Sequence, residues 1–177
     1  MQFQSQNELS CFTKKGVTRI MIRPLEAGDR EQLFSYLVTC GIFTEEEIKV
    51  ALELIDKCIN DKAQKEYEIF VDADEKIVNG YVCIGHRPLT EGTYDLYWIV
   101  VNPAIHSKGI GSSLVRFSEE YLKKKGGRLI LIETSQKPSY ERERRFYEKN
   151  GYTELFTIRE FYRPGDSLVM FAKYLTW

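Results

Sequence analysis

The chain has 177 residues, of which 25 are basic and 26 acidic, so its formal net charge is −1. This length suits a single domain, since typical domains contain roughly 100–200 residues. The near-neutral charge argues against a nucleic-acid-binding protein, because such domains are usually strongly basic. Every uninterrupted apolar run is far shorter than the roughly 20 residues that a membrane-spanning helix needs. We therefore expect neither a nucleic acid nor a membrane as a partner.

The first residues and the cysteines indicate the compartment. Met1–Leu9 has neither a basic residue nor an apolar stretch, so we do not expect a secretory signal. The four cysteines are far apart in the sequence, and the two histidines do not complete a zinc motif with them. We expect a reduced, cytoplasmic protein without a metal ion.

Residues 1–18 are polar and lack periodicity, and we interpret them as an N-terminal arm whose order the pattern leaves open. Hydrophobic periodicity and chain breakers predict the elements of a single domain over 19–177. In chain order these are a strand over 18–23, helices over 29–38 and 44–59, strands over 67–71, 77–84 and 93–101, a helix over 107–125, a strand over 128–134, a helix over 139–149, and strands over 153–162 and 167–175.

This order predicts a mixed α/β domain. The strand–helix–strand unit over 93–134 should contain a parallel strand pair with a right-handed crossover. The strand over 128–134 is almost continuously apolar, which is typical of a strand covered on both faces.

The junction between the strand over 93–101 and the next helix indicates a ligand site. The strand ends at Val101-Asn102-Pro103, and Gly109 and Gly111 lie at the start of the helix. Unpaired N–H groups at a helix start, together with the helix dipole, favour a phosphate, and glycines let the backbone approach it closely. The alternative is a tight strand-to-helix turn that binds no ligand.

Two known phosphate-binding motifs do not fit this junction. A dinucleotide-binding motif needs a glycine or alanine where Leu114 lies, and Glu133 is a poor match for its acidic residue. A P-loop needs Gly-Lys-Ser/Thr, whereas the chain has Ser113-Leu114.

The junction instead resembles the GNAT superfamily of acetyl-CoA-dependent N-acetyltransferases, in which a strand ending in Val-x-Pro precedes Gln/Arg-x-x-Gly-x-Gly/Ala. The second segment of this motif is His106-Ser107-Lys108-Gly109-Ile110-Gly111 here, and a later block, residues 146–152, resembles the family's Tyr-Glu-Lys-x-Gly motif. His106 departs from the usual Gln or Arg. Tyr140 and Glu143 stand where many members carry Asn and Ala.

The resemblance implies a mostly antiparallel sheet of six to seven strands with a splayed central parallel pair and about four helices. It also implies acetyl-CoA as cosubstrate, with the pyrophosphate bound by backbone amides at the helix start and the pantetheine arm along the preceding strand. The coenzyme-binding candidates are Ile99, Val100, Val101, His106, Ser107, Lys108, Gly109, Ile110, Gly111, Ser112, Tyr140 and Tyr147.

Acetyl transfer to an amine needs a proton donor for the departing thiolate and a base for the ammonium. The resemblance implies Tyr147 as the general acid, with a core tyrosine as the alternative. Asp95 is the first candidate for the base, because aspartate is unusual within a strand. Glu133, at the end of the neighbouring strand, is the second, and an exposed carboxylate without a catalytic role is the alternative for both.

We therefore expect an acyltransferase that acetylates a primary amine of a small molecule, an amino acid or a peptide by direct transfer. The alternative is a non-catalytic module that binds or senses acyl-CoA. The acceptor, the acyl chain length and the oligomeric state stay open, and a homodimer is among the alternatives.

Overall fold

The computed structural model describes residues 21–74, 77–105 and 109–175. The arm predicted over residues 1–18 therefore lies outside the described residues. The elements are β1 (Met21–Pro24), α1 (Arg30–Thr39), α2 (Glu45–Asn60), β2 (Glu68–Asp74), β3 (Ile77–His86), β4 (Thr93–Val101), α3 (Ile110–Lys124), β5 (Leu129–Ser135), α4 (Glu141–Lys149), β6 (Thr153–Arg163) and β7 (Asp166–Tyr174).

Seven strands form a mixed sheet in the order β1-β2-β3-β4-β5-β7-β6. Among the described strands, only β4 and β5 pair in parallel, and α3 connects them. All the other neighbours are antiparallel. The fold class and the order of elements predicted from the sequence are confirmed.

Each face of the sheet packs against two helices. Leu33 and Leu37 of α1 and Ile55 of α2 are fully buried against β2 and β3 on one face. On the other face, Leu114 and Leu122 of α3 pack with residues of β3, β4, β5 and β7. Burial of each such side chain contributes roughly 1.5–3 kcal/mol, so these two apolar cores fix the helices on either side of the sheet.

Local sequence explains where the helices begin and end. Thr44 and Glu47 form a reciprocal capping box at the start of α2, in which each side chain binds the backbone N–H of the other. Gly41 and Gly126 follow α1 and α3 with φ of 71° and 82°, a conformation that glycine adopts without a steric penalty. At the predicted start of α4, residues 138–140 form a 3-10 turn instead.

Candidate active site

The parallel strands β4 and β5 separate shortly after they begin to pair. Residues 93–95 pair with 129–131, and no later residues of the two strands pair with each other. A β-bulge in β4 follows at Tyr97, where consecutive β3 residues pair with the residues on either side of it. Because an inserted residue bends a strand, we attribute the divergence of β4 from β5 to this bulge. The splayed pair predicted from the sequence is confirmed.

The end of β4 directs free backbone groups into the gap. Asn102 N donates to Asn79 O at 2.8 Å, so these two residues form a hydrogen-bonded pair of the β3–β4 ladder. Such pairs alternate along an antiparallel ladder. Val100 therefore bonds to β3, whereas Ile99 and Val101 direct their N–H and C=O groups towards the gap. A ligand lying along β4 can pair with them as an added strand does.

A cleft of about 1180 Å³ occupies this gap and extends to the α1–α2 loop, α4 and the β6–β7 hairpin. Asp95 is not among the residues that line it. His106, Ser107 and Lys108 lie outside the described residues. The other residues predicted from the sequence for coenzyme binding or catalysis all line the cleft, namely Ile99, Val100, Val101, Gly109, Ile110, Gly111, Ser112, Glu133, Tyr140 and Tyr147.

The first turn of α3 is open to the cleft. Gly109 precedes the helix with φ of 80°, and no side chain caps the helix. Ser113 N donates to Gly109 O, so the N–H groups of residues 110–112 have no partner within the helix. With the helix dipole, they form a site suited to an anion such as a phosphate. A Cβ at Gly111 would lie 3.2 Å from the ring of Phe146, so the glycine also permits close packing of α3 against α4.

Tyr147 of α4 lies at the inner wall of the cleft and is 7% exposed. Its ring contacts Phe171 at 5.8 Å and Tyr152 at 6.4 Å between centroids, so packing holds its orientation. Burial, and then the charge of Glu143 one helical turn away, raises the pKa of Tyr147 above its ordinary value of 10.0. The phenol therefore keeps its proton at neutral pH and can donate it to a ligand atom in the cleft.

Asp95 and Glu133 lie on neighbouring strands and share one counter-ion, Arg87. Arg87 Nη2 is 3.2 Å from Glu133 Oε1, and Arg87 Nε is 3.5 Å from Asp95 Oδ2. The two carboxylates differ in accessibility, since the Glu133 side chain is 40% exposed and that of Asp95 only 11%. Burial raises the pKa of Asp95, the Arg87 charge opposes this, and the Glu133 charge adds to it.

The phenol and the two carboxylates lie on opposite faces of the sheet. Tyr147 belongs to the core that also contains Ile130 and Ile132 of β5. Because side chains alternate along a strand, Glu133 lies on the other face, as does Asp95, which follows Tyr94 of the same core. A group in the gap between β4 and β5 is therefore accessible from both faces, to an acid on one side and to Glu133 on the other.

Aromatic side chains from three segments also line the cleft. Phe43 and Trp98 meet edge to face at 5.1 Å between ring centroids. Tyr162 enters from β6 through an irregular segment in which residues 159–162 oppose the single β7 residue Ser167. Burial, and then the charges of Glu133 and two other carboxylates, raises the pKa of Tyr162 to about 12.

Sequence reasoning missed Arg87, Phe43 and Tyr162. Arg87 lies in a polar loop, and no local pattern connects it with the carboxylates that it contacts. Phe43, two residues after Gly41, is in the loop before α2, where apolar residues have no periodic partner. For Tyr162, the pair of adjacent aromatics before a turn was the available signal, but a regular strand over 153–162 was predicted.

In the described part of the chain no helix is long and apolar enough to cross a membrane. Residues 21–74, 77–105 and 109–175 also contain no group of three or more His, Cys, Asp or Glu side chains arranged to hold a metal ion.

Comparison with solved structures shows that the whole described fold recurs in acetyltransferases. An aminoglycoside 6'-N-acetyltransferase complexed with coenzyme A is 18% identical, with a TM-score of 0.70 over 89% of this chain and 98% of that chain. The ribosomal-protein-S18-alanine N-acetyltransferase from Escherichia coli is 16% identical, also with a TM-score of 0.70, over 89% of this chain and 94% of its own. At these identities the likeness shows the fold alone. A comparison with curated proteins found no significant match.

Two findings extend beyond the fold. A protein assigned to the GNAT acetyltransferase family from Desulfovibrio desulfuricans is 34% identical, with a TM-score of 0.85 over 89% of this chain and 99% of that chain. Residues 65–154, which include β4, the start of α3 and Tyr147, match the family model described as an acetyltransferase (GNAT) domain. Sequence identity over nearly the full length of a relative and the match to the family model agree with the geometry of the cleft, so this chain belongs to the GNAT family of acetyltransferases.

Proposed function

We propose that the chain is an N-acetyltransferase that transfers an acetyl group from acetyl-CoA directly to a primary amine of a small molecule, an amino acid or a peptide. One observation carries this proposal. The gap between β4 and β5 has a protonated phenol, Tyr147, on one face and the carboxylate of Glu133 on the other, with Asp95 behind Glu133 at the last paired position. An acyl group held in this gap has a proton donor and a proton acceptor on opposite sides.

The coenzyme is bound by backbone groups in this proposal. The N–H groups of residues 110–112 bind the pyrophosphate, and the free groups of Ile99 and Val101 pair with the pantetheine arm. His106, Ser107 and Lys108 complete the phosphate site according to the sequence motif. The coenzyme A in the structure of the aminoglycoside 6'-N-acetyltransferase supports this choice of cosubstrate.

The amine must lose a proton before it can attack. An alkyl ammonium has a pKa of about 10.4, so nearly all of the acceptor is protonated at neutral pH. Glu133 lines the cleft and accepts this proton through water, whereas Asp95 acts from behind it or takes the proton in its place. A general base contributes roughly 10²–10⁴-fold to such a reaction.

Bond changes then follow from the positions of these groups. The neutral amine nitrogen attacks the thioester carbonyl carbon, the C–N bond forms, and the C–S bond breaks. Tyr147 donates its proton to the departing thiolate. As the amide forms, the nitrogen releases its second proton, which restores the phenol. The net products are an amide, a free thiol and one proton released to solvent. Direct transfer needs no acyl-enzyme, and the proposal therefore includes no nucleophilic side chain.

Release of free thiol tests the proposal. Purified protein is incubated with acetyl-CoA and a panel of small amines, amino acids and peptides, and products are identified by the mass of one added acetyl group. We expect turnover with at least one amine, and we expect the double variant D95N/E133Q to bind coenzyme A normally but to lose turnover. Coenzyme binding without turnover on any amine would contradict the proposal and favour an acyl-CoA-sensing module.

A further inference from the structure

Two hydrogen bonds hold the backbone of Arg87 in place at the start of the loop that connects β3 and β4. Arg87 directly follows β3, and its N–H donates to Thr93 O at 2.9 Å, which closes the loop between the two strands. Its own carbonyl accepts a hydrogen bond of 2.7 Å from the hydroxyl of Thr90. These two bonds hold the backbone of Arg87 beside the first residues of β4, so its side chain starts from a defined position.

The guanidinium of Arg87 lies across the point where β4 and β5 diverge. Asp95 is the last residue of β4 that pairs with β5, and Glu133 lies two residues beyond its partner, Leu131. Arg87 contacts both carboxylates, through Nε on one side and Nη2 on the other. The planar guanidinium has donors on separate nitrogens, so a single arginine can hold two carboxylates on different strands.

The charges in this cluster do not balance. Two ionised carboxylates and one guanidinium leave a net charge of −1, and the carboxylate of Asp95 is buried. Like charges at short distance oppose each other's ionisation, and burial of one of them strengthens this effect. Without Arg87, we expect Asp95 to hold its proton more tightly, because burial and the charge of Glu133 both raise its pKa. A retained proton would block a base.

We propose that Arg87 is a positioning residue for the reaction, which keeps the buried Asp95 ionised and holds the Glu133 carboxylate at the edge of the cleft. This inference rests on the proposed function, because it assigns the role of Arg87 to the base of amine acetylation. A purely structural ion pair would instead stabilise the fold without changing the protonation of the base.

Other titratable groups also face this cluster. Tyr97 donates to Asp95 Oδ2 at 3.4 Å from the same strand, and His86 at the end of β3 lowers the pKa of Asp95 when it is charged. Tyr162 faces Glu133 from β6. Because a charged His86 would also act on Asp95, the test includes the variant H86N.

The first measurement follows the Asp95 carboxyl group without any substrate. Its carboxyl carbon is titrated by ¹³C NMR and assigned with D95N. A nearby opposite charge lowers a carboxyl pKa by about 1–3 units, so in R87Q we expect the titration midpoint of Asp95 to rise by that amount. The control R30Q removes another arginine, which pairs with Asp56 on α1 and α2, and should leave this midpoint unchanged.

The second measurement is the pH dependence of kcat/KM with an amine from the panel. A base works only when deprotonated, so activity falls as the pH drops through its pKa. In R87Q we expect the acid limb of this profile to move to higher pH by the same roughly 1–3 units, with the limb of R30Q unchanged. The limb of H86N should move by less than that of R87Q, since a charged His86 also lowers the pKa of Asp95. A lysine has a single ammonium in place of the two nitrogens that contact the carboxylates, so R87K should move the same limb by a smaller amount than R87Q.

The outcomes separate the two proposals. An unshifted Asp95 midpoint in R87Q overturns the role of Arg87, and so does a shift of this midpoint without a shift of the acid limb. If R87Q does not fold, R87K decides, because an unchanged acid limb in R87K would overturn the role. Absence of turnover by the unsubstituted protein, with the Asp95 midpoint shifted in R87Q, overturns the proposed function and with it the catalytic role of the arginine.

Discussion

The hydroxyl of Tyr140 donates a hydrogen bond of 3.1 Å to Glu47 Oε1 and thereby joins the start of α4 to the first turn of α2 across the mouth of the cleft. The other oxygen of the same carboxylate accepts from Thr44 N at 2.7 Å. One carboxylate thus caps α2 and connects the two walls of the cleft. Burial, and then the charge of Glu47, raises the pKa of Tyr140, so the hydroxyl remains a donor.

Removal of this hydroxyl should weaken the connection between the walls. We expect Y140F to lower the free energy of unfolding by about 1–2 kcal/mol, since a hydrogen bond to a charged group is lost while the ring stays. Urea denaturation measures this change, with Y174F as control, because Tyr174 is 73% exposed. Coenzyme affinity should stay within about twofold of its value, which corresponds to less than roughly 0.5 kcal/mol. A larger loss of affinity would mean that the hydroxyl binds the coenzyme directly.

Tyr147 should affect turnover and leave coenzyme binding nearly unchanged. In Y147F the ring that packs on Phe171 and Tyr152 stays, and only the proton donor is removed. We expect kcat to fall by roughly 10²-fold or more, the usual contribution of a general acid, while the Kd of coenzyme A stays constant. Single-turnover kinetics and calorimetry measure the two quantities.

Tyr152 provides the matched control for this experiment. It lies in the same core as Tyr147 but does not line the cleft. Y152F should therefore keep the kcat of the unsubstituted protein. Equal losses in Y147F and Y152F would indicate a packing effect and would contradict the role of Tyr147 as an acid.

Gly109 and Gly126 allow the phosphate site to be tested at constant backbone strain. They flank α3 with φ of 80° and 82°, and a Cβ at either would meet no atom within 4 Å. An alanine in this conformation costs about 1–2 kcal/mol at both positions. Only G109A alters the turn that presents the N–H groups of residues 110–112. We expect at least a tenfold weaker coenzyme affinity in G109A and no change in G126A, and equal affinities would contradict a phosphate site at this turn.

Strand β4 has the bounds that its sequence predicts, Thr93–Val101. Aromatic and β-branched residues fill it, and Gly92 and Asn102-Pro103 interrupt it on either side, so local preferences decide where it starts and stops. The order of elements and the parallel pair follow from such local patterns and from the right-handed crossover. This explains why the fold and the glycines of the α3 turn could be predicted from the sequence.

The arrangement of the carboxylates depends on contacts between distant segments. Arg87 and Glu133 are 46 residues apart in the chain, and they meet only because the sheet places β3 and β5 on either side of β4. The bulge at Tyr97 also has no marker in the sequence, since alternation predicts a regular strand. The burial of Asp95 and the access of Glu133 to the cleft follow from these two features. The periodicity of the sequence therefore gives no basis for choosing between Asp95 and Glu133 as the base.

Asp29 makes the stability of the fold depend on pH at a site remote from the cleft. Arg23 donates two hydrogen bonds of 2.8 Å to this carboxylate, and Glu26 N donates a third of 2.9 Å. Burial opposes ionisation of Asp29, but the hydrogen bonds outweigh it and lower the pKa below the ordinary 3.8. A lowered pKa in the folded state means that the stabilisation is present above the unfolded pKa and is lost as the pH falls through the folded one.

We therefore expect D29N to lower the free energy of unfolding by about 2–3 kcal/mol at pH 7, because hydrogen bonds to a buried charge are lost. The difference between D29N and the unsubstituted protein should shrink below about pH 4, where the carboxyl of the unfolded chain becomes protonated. Urea denaturation at several pH values measures this. Asp56 is the control, since its pair with Arg30 is 38% to 41% exposed, and D56N should cost less than about 1 kcal/mol. If D29N lowers the free energy of unfolding as much at pH 3 as at pH 7, the effect comes from packing and not from the ionised carboxylate.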